Sequence, residues 1–220
     1  MPLWSRLQCR QTRPPLRTRN EAPRYIDDTV VLERLFRERL DPWDFLTDPY
    51  EQARLTKLGS IVQRVPHASV LEIGCAEGVF TAWLTTVAEH VVALDVSPTA
   101  CARAQQRAPK ATVLVQGLGA YMSETVFDLV VCTETLYYMN DPGAALTAMR
   151  QLGRYVFVSY TRHERKRLDP LIVGIPALVD EEFTYVARRF PPKKRGCRLL
   201  VWGPFDSALS TLNTSWAAKP

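Results

Sequence analysis

Apolar and polar positions follow two rhythms along this chain, and each predicts a different kind of element. Between residues 25 and 40 the apolar side chains Ile26, Val30, Val31, Leu35 and Phe36 recur at roughly helical spacing with charges between them, which predicts a short amphipathic helix. A second helix is predicted from Asp48 and Pro49, a good N-cap and first helical residue, through Arg54, Leu55 and Leu58. From residue 70 the rhythm changes to short unbroken apolar runs, at 70–73, 91–94, 112–116, 127–132 and 155–160. Such runs read as strands buried on both faces. Helices are predicted between them over 80–89, from Ser97-Pro98 to about 108, and from Asp141-Pro142 to about 153. After the fifth run, Asp180-Glu181-Glu182 is expected to open a short helical turn. Residues 184–190, the turn P-P-K-K-R-G and residues 197–202 then form an antiparallel hairpin, because the connection is too short for a helical crossover.

Alternating βα units ending in a hairpin predict an α/β, Rossmann-like fold: a seven-stranded, mostly parallel sheet with one reversed strand and helices on both faces. A chain of 220 residues, 46% hydrophobic, is long enough for one domain with a sizeable core. The expected division is a basic disordered tail over 1–24, an N-terminal helical lid over 25–60, the sheet domain over 61–205 and a C-terminal tail over 206–220. No apolar run approaches the roughly 20 residues of a membrane span, so a soluble protein with no membrane partner is expected. Cys9, Cys75, Cys101, Cys132 and Cys197 are scattered, with no C-x-x-C pair. That argues against a disulfide framework and a zinc site, and for a reducing, cytoplasmic setting without a metal.

Charge changes the picture only when it is located. Residues 1–20 hold Arg6, Arg10, Arg13, Arg17 and Arg19 and no acid, which equals the whole net charge of +5. Residues 21–161 come to −5 and residues 162–198 to +5, with ten basic side chains against five acidic. The basic balance is therefore poor support for a nucleic-acid partner. The 162–198 segment reads either as a solvated face or as part of a site for a substrate bearing carboxylate or phosphate.

Candidate chemistry gathers where the strands end. V-L-E-I-G-C-A-E-G at 70–78 is a strand breaking into a glycine turn, and V-V-A-L-D closes on Asp95 about twenty residues later. That is the layout of a nucleotide-handling βαβ unit, with Gly74 and Gly78 bracketing the turn. A nicotinamide fingerprint needs glycine where Ala76 and Val79 stand, and Glu72 and Glu77 disfavour a pyrophosphate at the helix end. A cationic ligand such as S-adenosylmethionine tolerates those carboxylates. Asp95 reads either as a turn-forming residue or as the acceptor of two ribose hydroxyls. Val96, Gly117, Leu118 and Thr133, at the ends of later strands, are further cofactor-site candidates. T-E-T-L-Y-Y places Thr133, Glu134, Tyr137 and Tyr138 at the carboxyl edge of the sheet, where open α/β folds bind ligands. Trp43, Phe45, Tyr50 and Arg54 either belong to the core and surface of the second helix or close over a ligand.

D-P-W-x-x-x-T-D-P-Y-E-Q-A-R at 41–54, L-E-I-G-C-A-E-G at 71–78 and F-D-L-V-V-C-T-E-T-L-Y-Y at 127–138 together resemble class I S-adenosylmethionine-dependent methyltransferases. More narrowly they resemble the nodulation protein S family of small N-methyltransferases, over about residues 40–160. The resemblance implies that Gly74, Cys75 and Gly78 contact the cofactor backbone, that Asp95 holds the ribose, and that Trp43 and Arg54 belong to a lid. It also implies a small-molecule acceptor with an amino group, such as an amino sugar or oligosaccharide. An O-methyltransferase and a binding protein without chemistry are the rival readings. Glu134 is the leading candidate to position or deprotonate the amine, with Tyr137 and Tyr138 walling the methyl group, while a helix cap is its structural alternative. His163 is the other candidate base. Three stretches depart from the family pattern: Gln116-Gly117-Leu118-Gly119 lacks the acid that commonly reads adenine, Leu152-Gly153-Arg154 shortens the turn before the fifth strand, and the run from Arg162 to Arg167 has no counterpart.

Overall fold

Strands that are apolar on both faces need cover on both sides, and in the computed structural model the chain supplies it from different helices. The structure describes residues 29–187 and 194–205; the tails expected over 1–24 and 206–220, and Cys9, lie outside them. The elements run α1 (Thr29–Glu38), α2 (Pro49–Val62), β1 (Ser69–Ile73), α3 (Val79–Leu84), β2 (His90–Asp95), α4 (Pro98–Arg107), β3 (Thr112–Val115), β4 (Phe127–Thr133), α5 (Pro142–Leu152), β5 (Gly153–Thr161), α6 (Arg165–Leu168), β6 (Val179–Val186) and β7 (Lys194–Trp202). The strands form one seven-stranded sheet in the order β3-β2-β1-β4-β5-β7-β6. The first five are parallel, and β7 runs antiparallel to both β5 and β6, so the expected fold with one reversed strand is the observed one.

Successive residues of each strand feed opposite cores. Val70, Leu129, Val131, Phe157, Leu199 and Val201 pack with Leu55, Leu58, Ile61 and Val62 of α2 and with Phe80 and Leu84 of α3. Leu71, Ile73, Val130, Val156, Val158 and Leu200 pack on the other face with Leu146 and Met149 of α5. Each such fully buried aliphatic side chain contributes roughly 1.5–3 kcal/mol. From Leu55 onward α2 is therefore core, Phe45 and Leu46 before it pack against the same cluster, and Phe36 of α1 joins a separate small cluster with Ala76 and Ala100. The caps read from sequence form as expected: Asp48 accepts from Tyr50 N, Ser97 from Ala100 N, and Asp141 from Ala144 N.

Two elements differ from expectation. α3 stops at Leu84, because the hydroxyls of Thr85 and Thr86 donate to the carbonyls of Ala82 and Trp83 and β-branched residues crowd the next turn. Asp180-Glu181-Glu182 lies inside β6 and opens no helix. Period two decides it: Val179, Glu181, Phe183 and Tyr185 share one face, with Glu181 on Lys57 and Arg64, while Asp180 and Glu182 face Arg198, Arg162 and Arg165. The four described cysteines are buried free thiols. Among the described residues no helix is long and apolar enough to cross a membrane, and no group of three His, Cys, Asp or Glu is placed to hold a metal.

Gly78 sits at φ 77° and a Cβ there would lie 2.6 Å from Ala104 Cα. Gly78→Ala combines left-handed strain with overlap onto α4 backbone and is expected to cost about 2–4 kcal/mol in urea unfolding, against less than about 0.5 kcal/mol for Gly119→Ala, which has open space. Burial pushes Glu72 up to about 8, with Asp95 adding to the shift and the hydrogen bond from Thr81 opposing it. Burial and then the charge of Asp41 push Glu77 up to about 8 as well. Between 4.5, their ordinary value, and about 8 the folded chain holds protons that the unfolded chain has released, so stability falls as pH rises through that window. The urea midpoint is expected to drop between about pH 5 and pH 8, and Glu77→Gln to flatten the drop.

Candidate functional site

Parallel strands present their carboxyl ends at one edge of a sheet, and β1, β2, β4 and β5 end on a single cavity of about 970 Å³. Its floor is the turn after β1. The N–H groups of Gly74 and Cys75 both donate to Leu94 O, at 2.8 and 3.0 Å, lacing the turn to β2. Asp95 completes the joint: its Oδ2 accepts from Ala76 N and its Oδ1 from Ser97 N, each at 2.9 Å. Asp95 is thus turn-forming and cavity-lining at once, and the two readings of it are compatible. Burial raises its proton affinity while the three backbone N–H groups of Ser97, Ala76 and Val96 lower it. Thr135, from the loop after β4, lies where a Cβ on Gly74 would fall, at 2.3 Å, so that loop rests directly on the floor.

The wall is the tip of β4. Glu134 holds φ 55°, a conformation that non-glycine residues adopt at a cost of about 1–2 kcal/mol. Three contacts hold it there. Its N–H donates to Ser159 O at 2.9 Å, Ser159 Oγ donates to Glu134 Oε1 at 3.1 Å, and Tyr137 OH donates to Oε2 at 3.2 Å. Burial raises the proton affinity of this carboxyl; Arg54 pulls it back and Glu51 adds to the rise. Burial, reinforced by Glu134, keeps the Tyr137 phenol protonated. Tyr138 packs on Tyr137 with ring centroids 4.6 Å apart and on Trp43 at 6.1 Å, so the aromatic residues before α2 meet those after β4.

The remaining side comes from the start of α2. Arg54 and Glu51, both buried, form an ion pair at 2.8 Å, and Arg54 lies 5.7 Å from the Phe45 ring centroid. Arg54 Nη1 is left without a hydrogen-bond partner. Arg195 of β7 reaches across to Asp48 and Glu51 and lies over the Tyr50 ring at 3.7 Å.

Of the residues predicted from sequence, Trp43, Arg54, Gly74, Asp95, Val96, Gly117, Leu118, Thr133, Glu134, Tyr137 and His163 line this one cavity. Glu72, Cys75 and Gly78 do not. Glu72 is buried behind the turn, accepting from Thr81 Oγ1 at 2.6 Å; Cys75 packs with Ala93 and Ala104; Gly78 abuts α4. Ile73, Gly74 and Ala76 of the same stretch do line the cavity, so strand alternation and the positive φ of Gly74, Ala76 and Gly78 turn some of its residues toward the ligand space and others away. His163 is exposed at the rim. Sequence reasoning missed Glu51 and Arg195, whose pairing spans 144 residues, and Ser159. A serine inside the apolar run V-F-V-S-Y was a usable signal, since a buried hydroxyl needs a partner.

Known proteins with this arrangement are informative. A model of the family described as nodulation protein S (NodS) matches residues 27–161. Nodulation protein S of Sinorhizobium fredii is 33% identical over 116 residues, 51% of this chain and 54% of that protein. The Rhizobium tropici protein of the same name is 37% identical over 119 residues, 52% of this chain and 50% of that protein. The chain thus spans about half the length of the curated relatives it matches. The structure of the N-methyltransferase NodS from Bradyrhizobium japonicum in complex with S-adenosyl-l-homocysteine shares the fold, with a TM-score of 0.63 and 24% identity over 76% of this chain and 95% of that one. So does magnesium protoporphyrin IX methyltransferase from Synechocystis, at TM-score 0.60 and 18% identity over 83% of this chain and 99% of that one. With the fold shared and the family model matched over more than half of its residues, the chain belongs to the nodulation protein S (NodS) family.

Proposed function

We propose that this protein is an S-adenosylmethionine-dependent methyltransferase acting on an amino group of a small molecule. The observation that carries the reading is one cavity joining Asp95 at the tip of β2, the unsatisfied Nη1 of Arg54, and the strained, doubly hydrogen-bonded carboxylate of Glu134. Family membership and the named N-methyltransferase sharing the fold support it.

The residues present suit the cofactor. Arg54 offers a buried cationic donor to a carboxylate, and Asp95 faces the cavity where the two hydroxyls of a ribose are accepted in such folds. Val96, Gly117, Leu118 and Gly119 line the cavity beyond Asp95. The side chain of Gln116 is engaged with Ala120 O, so adenine recognition there falls to backbone groups. When bound, S-adenosylmethionine would supply a methyl group carried on its sulfonium sulfur, open to in-line displacement with S-adenosylhomocysteine as the leaving group. A volume of about 970 Å³ lies at the upper end of single-ligand pockets and leaves room for an acceptor beside the cofactor.

An ammonium has no lone pair, so an amine acceptor must lose a proton before it attacks. Glu134 is placed to take it: both carboxylate oxygens are oriented by donors, and burial strengthens the base. Tyr137, Tyr138 and Trp43 exclude water from the same space. His163, exposed at the rim, has no comparable orientation.

S-adenosylhomocysteine is expected to bind the wild-type chain in calorimetry, and Asp95→Asn to weaken it at least about tenfold, with unfolding of the free variant measured alongside to separate loss of the ligand from loss of the turn. No binding at millimolar concentration sinks the reading. Glu134→Gln is expected to lower kcat by about 10²–10⁴ while cofactor binding persists. In the wild type, activity is expected to rise with pH through a step above the ordinary carboxylate range, because Glu134 is a base only when ionised; the step disappears in the Gln variant. Methyl transfer only to the hydroxyl member of an amine–hydroxyl acceptor pair replaces this reading with O-methylation.

A further inference from the structure

The β5–β7 side of the cavity holds two cations that the mechanism does not use. Arg162 directly follows β5 and Lys194 opens β7, and both line the cavity. Thr161 pairs with Cys197 across the antiparallel β5–β7 ladder, so the end of one strand and the start of the other are neighbours. The Arg162 side chain is held in place, its Nη2 donating to Glu182 at 3.0 Å and to Thr184 Oγ1 at 2.6 Å. It lies across Gly196, where a Cβ would stand 3.1 Å from Arg162 Nε; the absent side chain makes its room. Nε itself is buried without a hydrogen-bond partner.

Most of the basic segment is matched by acids. Arg165 is paired with Asp169 and Glu182, Arg195 with Asp48 and Glu51, and Arg198 with Asp169 and Asp180. Arg167 donates to the carbonyls of Tyr137 and Met139. Lys194 has no acidic partner among the described residues, and Arg162 shares Glu182 with Arg165. The cavity is therefore polarised, with Glu134 and Glu51 on one side and under-neutralised cations at the mouth formed by β5 and β7.

Resting on the methyltransferase reading, we propose that Arg162 and Lys194 form an anion subsite, and that the acceptor is an amine carrying a carboxylate or phosphate group remote from the reacting nitrogen. A guanidinium fork and a lysine point charge together suit either anion. Ser159, bonded to Glu134, precedes Arg162 by three residues of extended chain, about 10 Å at roughly 3.3 Å per residue. A sugar ring with an anionic substituent or an ω-amino acid, whose anion lies several bonds from its nitrogen, suits a subsite set off along the strand from Glu134. An α-amino acid does not.

The test is calorimetry on the whole chain, with and without S-adenosylhomocysteine, titrated with glucosamine 6-phosphate against glucosamine and with 6-aminohexanoate against 6-aminohexanamide. At least one anionic amine is expected to bind about tenfold more tightly than its neutral partner, with the difference shrinking as salt rises. Arg162→Gln combined with Lys194→Gln should reduce that preference to less than about threefold. Lys194→Gln alone, at an exposed position, gives a smaller loss in the same direction without disturbing the Arg162 hydrogen bonds. Equal binding within both pairs, or a preference unchanged in these variants, overturns the proposal. Failure of S-adenosylhomocysteine to bind is read separately and counts against the methyltransferase reading, because the amine titrations are also made without it.

Discussion

Two backbone N–H groups, from Ala76 and Ser97, converge on the carboxylate of Asp95, and the rest of the site depends on that convergence. It fixes the turn after β1 to the tip of β2 at the place where the sheet opens a crevice. Charge-assisted bonds of this kind are among the stronger ones available to a loop. The same corner anchors α1, because Ser97 Oγ and Thr99 Oγ1 donate to Glu33 at 2.6 and 2.5 Å. Phe36 of α1 then packs on Ala76 and Ala100. One carboxylate thereby sets the floor of the cavity and the seat of the helix beside it, while keeping a face toward the ligand space.

A second constraint is electrostatic. Asp48, Glu51, Arg54, Glu134 and Arg195 form a chain of charges that joins α2, β4 and the hairpin. Buried ion pairs of this kind add little net stability, since desolvation offsets most of their attraction. Their effect is positional: removing Arg54 or Glu51 would strand a buried charge, while the half-buried Arg195 ties Asp48 and Glu51 to the hairpin. The same chain tunes the proton affinity of Glu134, because Arg54 and Glu51 act on it in opposite directions. Stability comes from the two apolar layers beneath, and the charges decide what the space above them recognises.

The parallel sheet, its reversed strand and its caps were legible in the chain because each depends on residues close in sequence. Apolar runs bounded by Gly, Pro and Asp report burial on both faces directly, and Asp48, Ser97 and Asp141 cap the helices they precede. The acids at 180–182 were misread for the converse reason. Three consecutive charges carry no periodicity of their own, and their alternate pairing with α2 on one side and with Arg162, Arg165 and Arg198 on the other exists only in the folded sheet. α3 ended early where threonine hydroxyls competed for backbone carbonyls, an effect that helical spacing does not register.

For the site the division is similar. The glycine turn, Asp95 and the E-T-L-Y-Y tip were written in the sequence, because a turn and a strand end are local events and their chemistry follows from residue type. Which residues of the turn face the ligand space was not. Strand alternation and the positive φ of Gly74, Ala76 and Gly78 leave Cys75, Gly78 and the buried carboxyl of Glu72 on the far side, and a string of letters holds no record of that direction. The orientation of Glu134 by Ser159, and the meeting of Arg195 with Glu51, likewise required strands and helices distant in sequence to be packed together. Sequence alone determined the sheet and the kind of cofactor its tips are suited to, since both rest on local pattern. Only the tertiary structure decided which charges remain unmatched at the mouth of the cavity, because pairing is a property of distance in space.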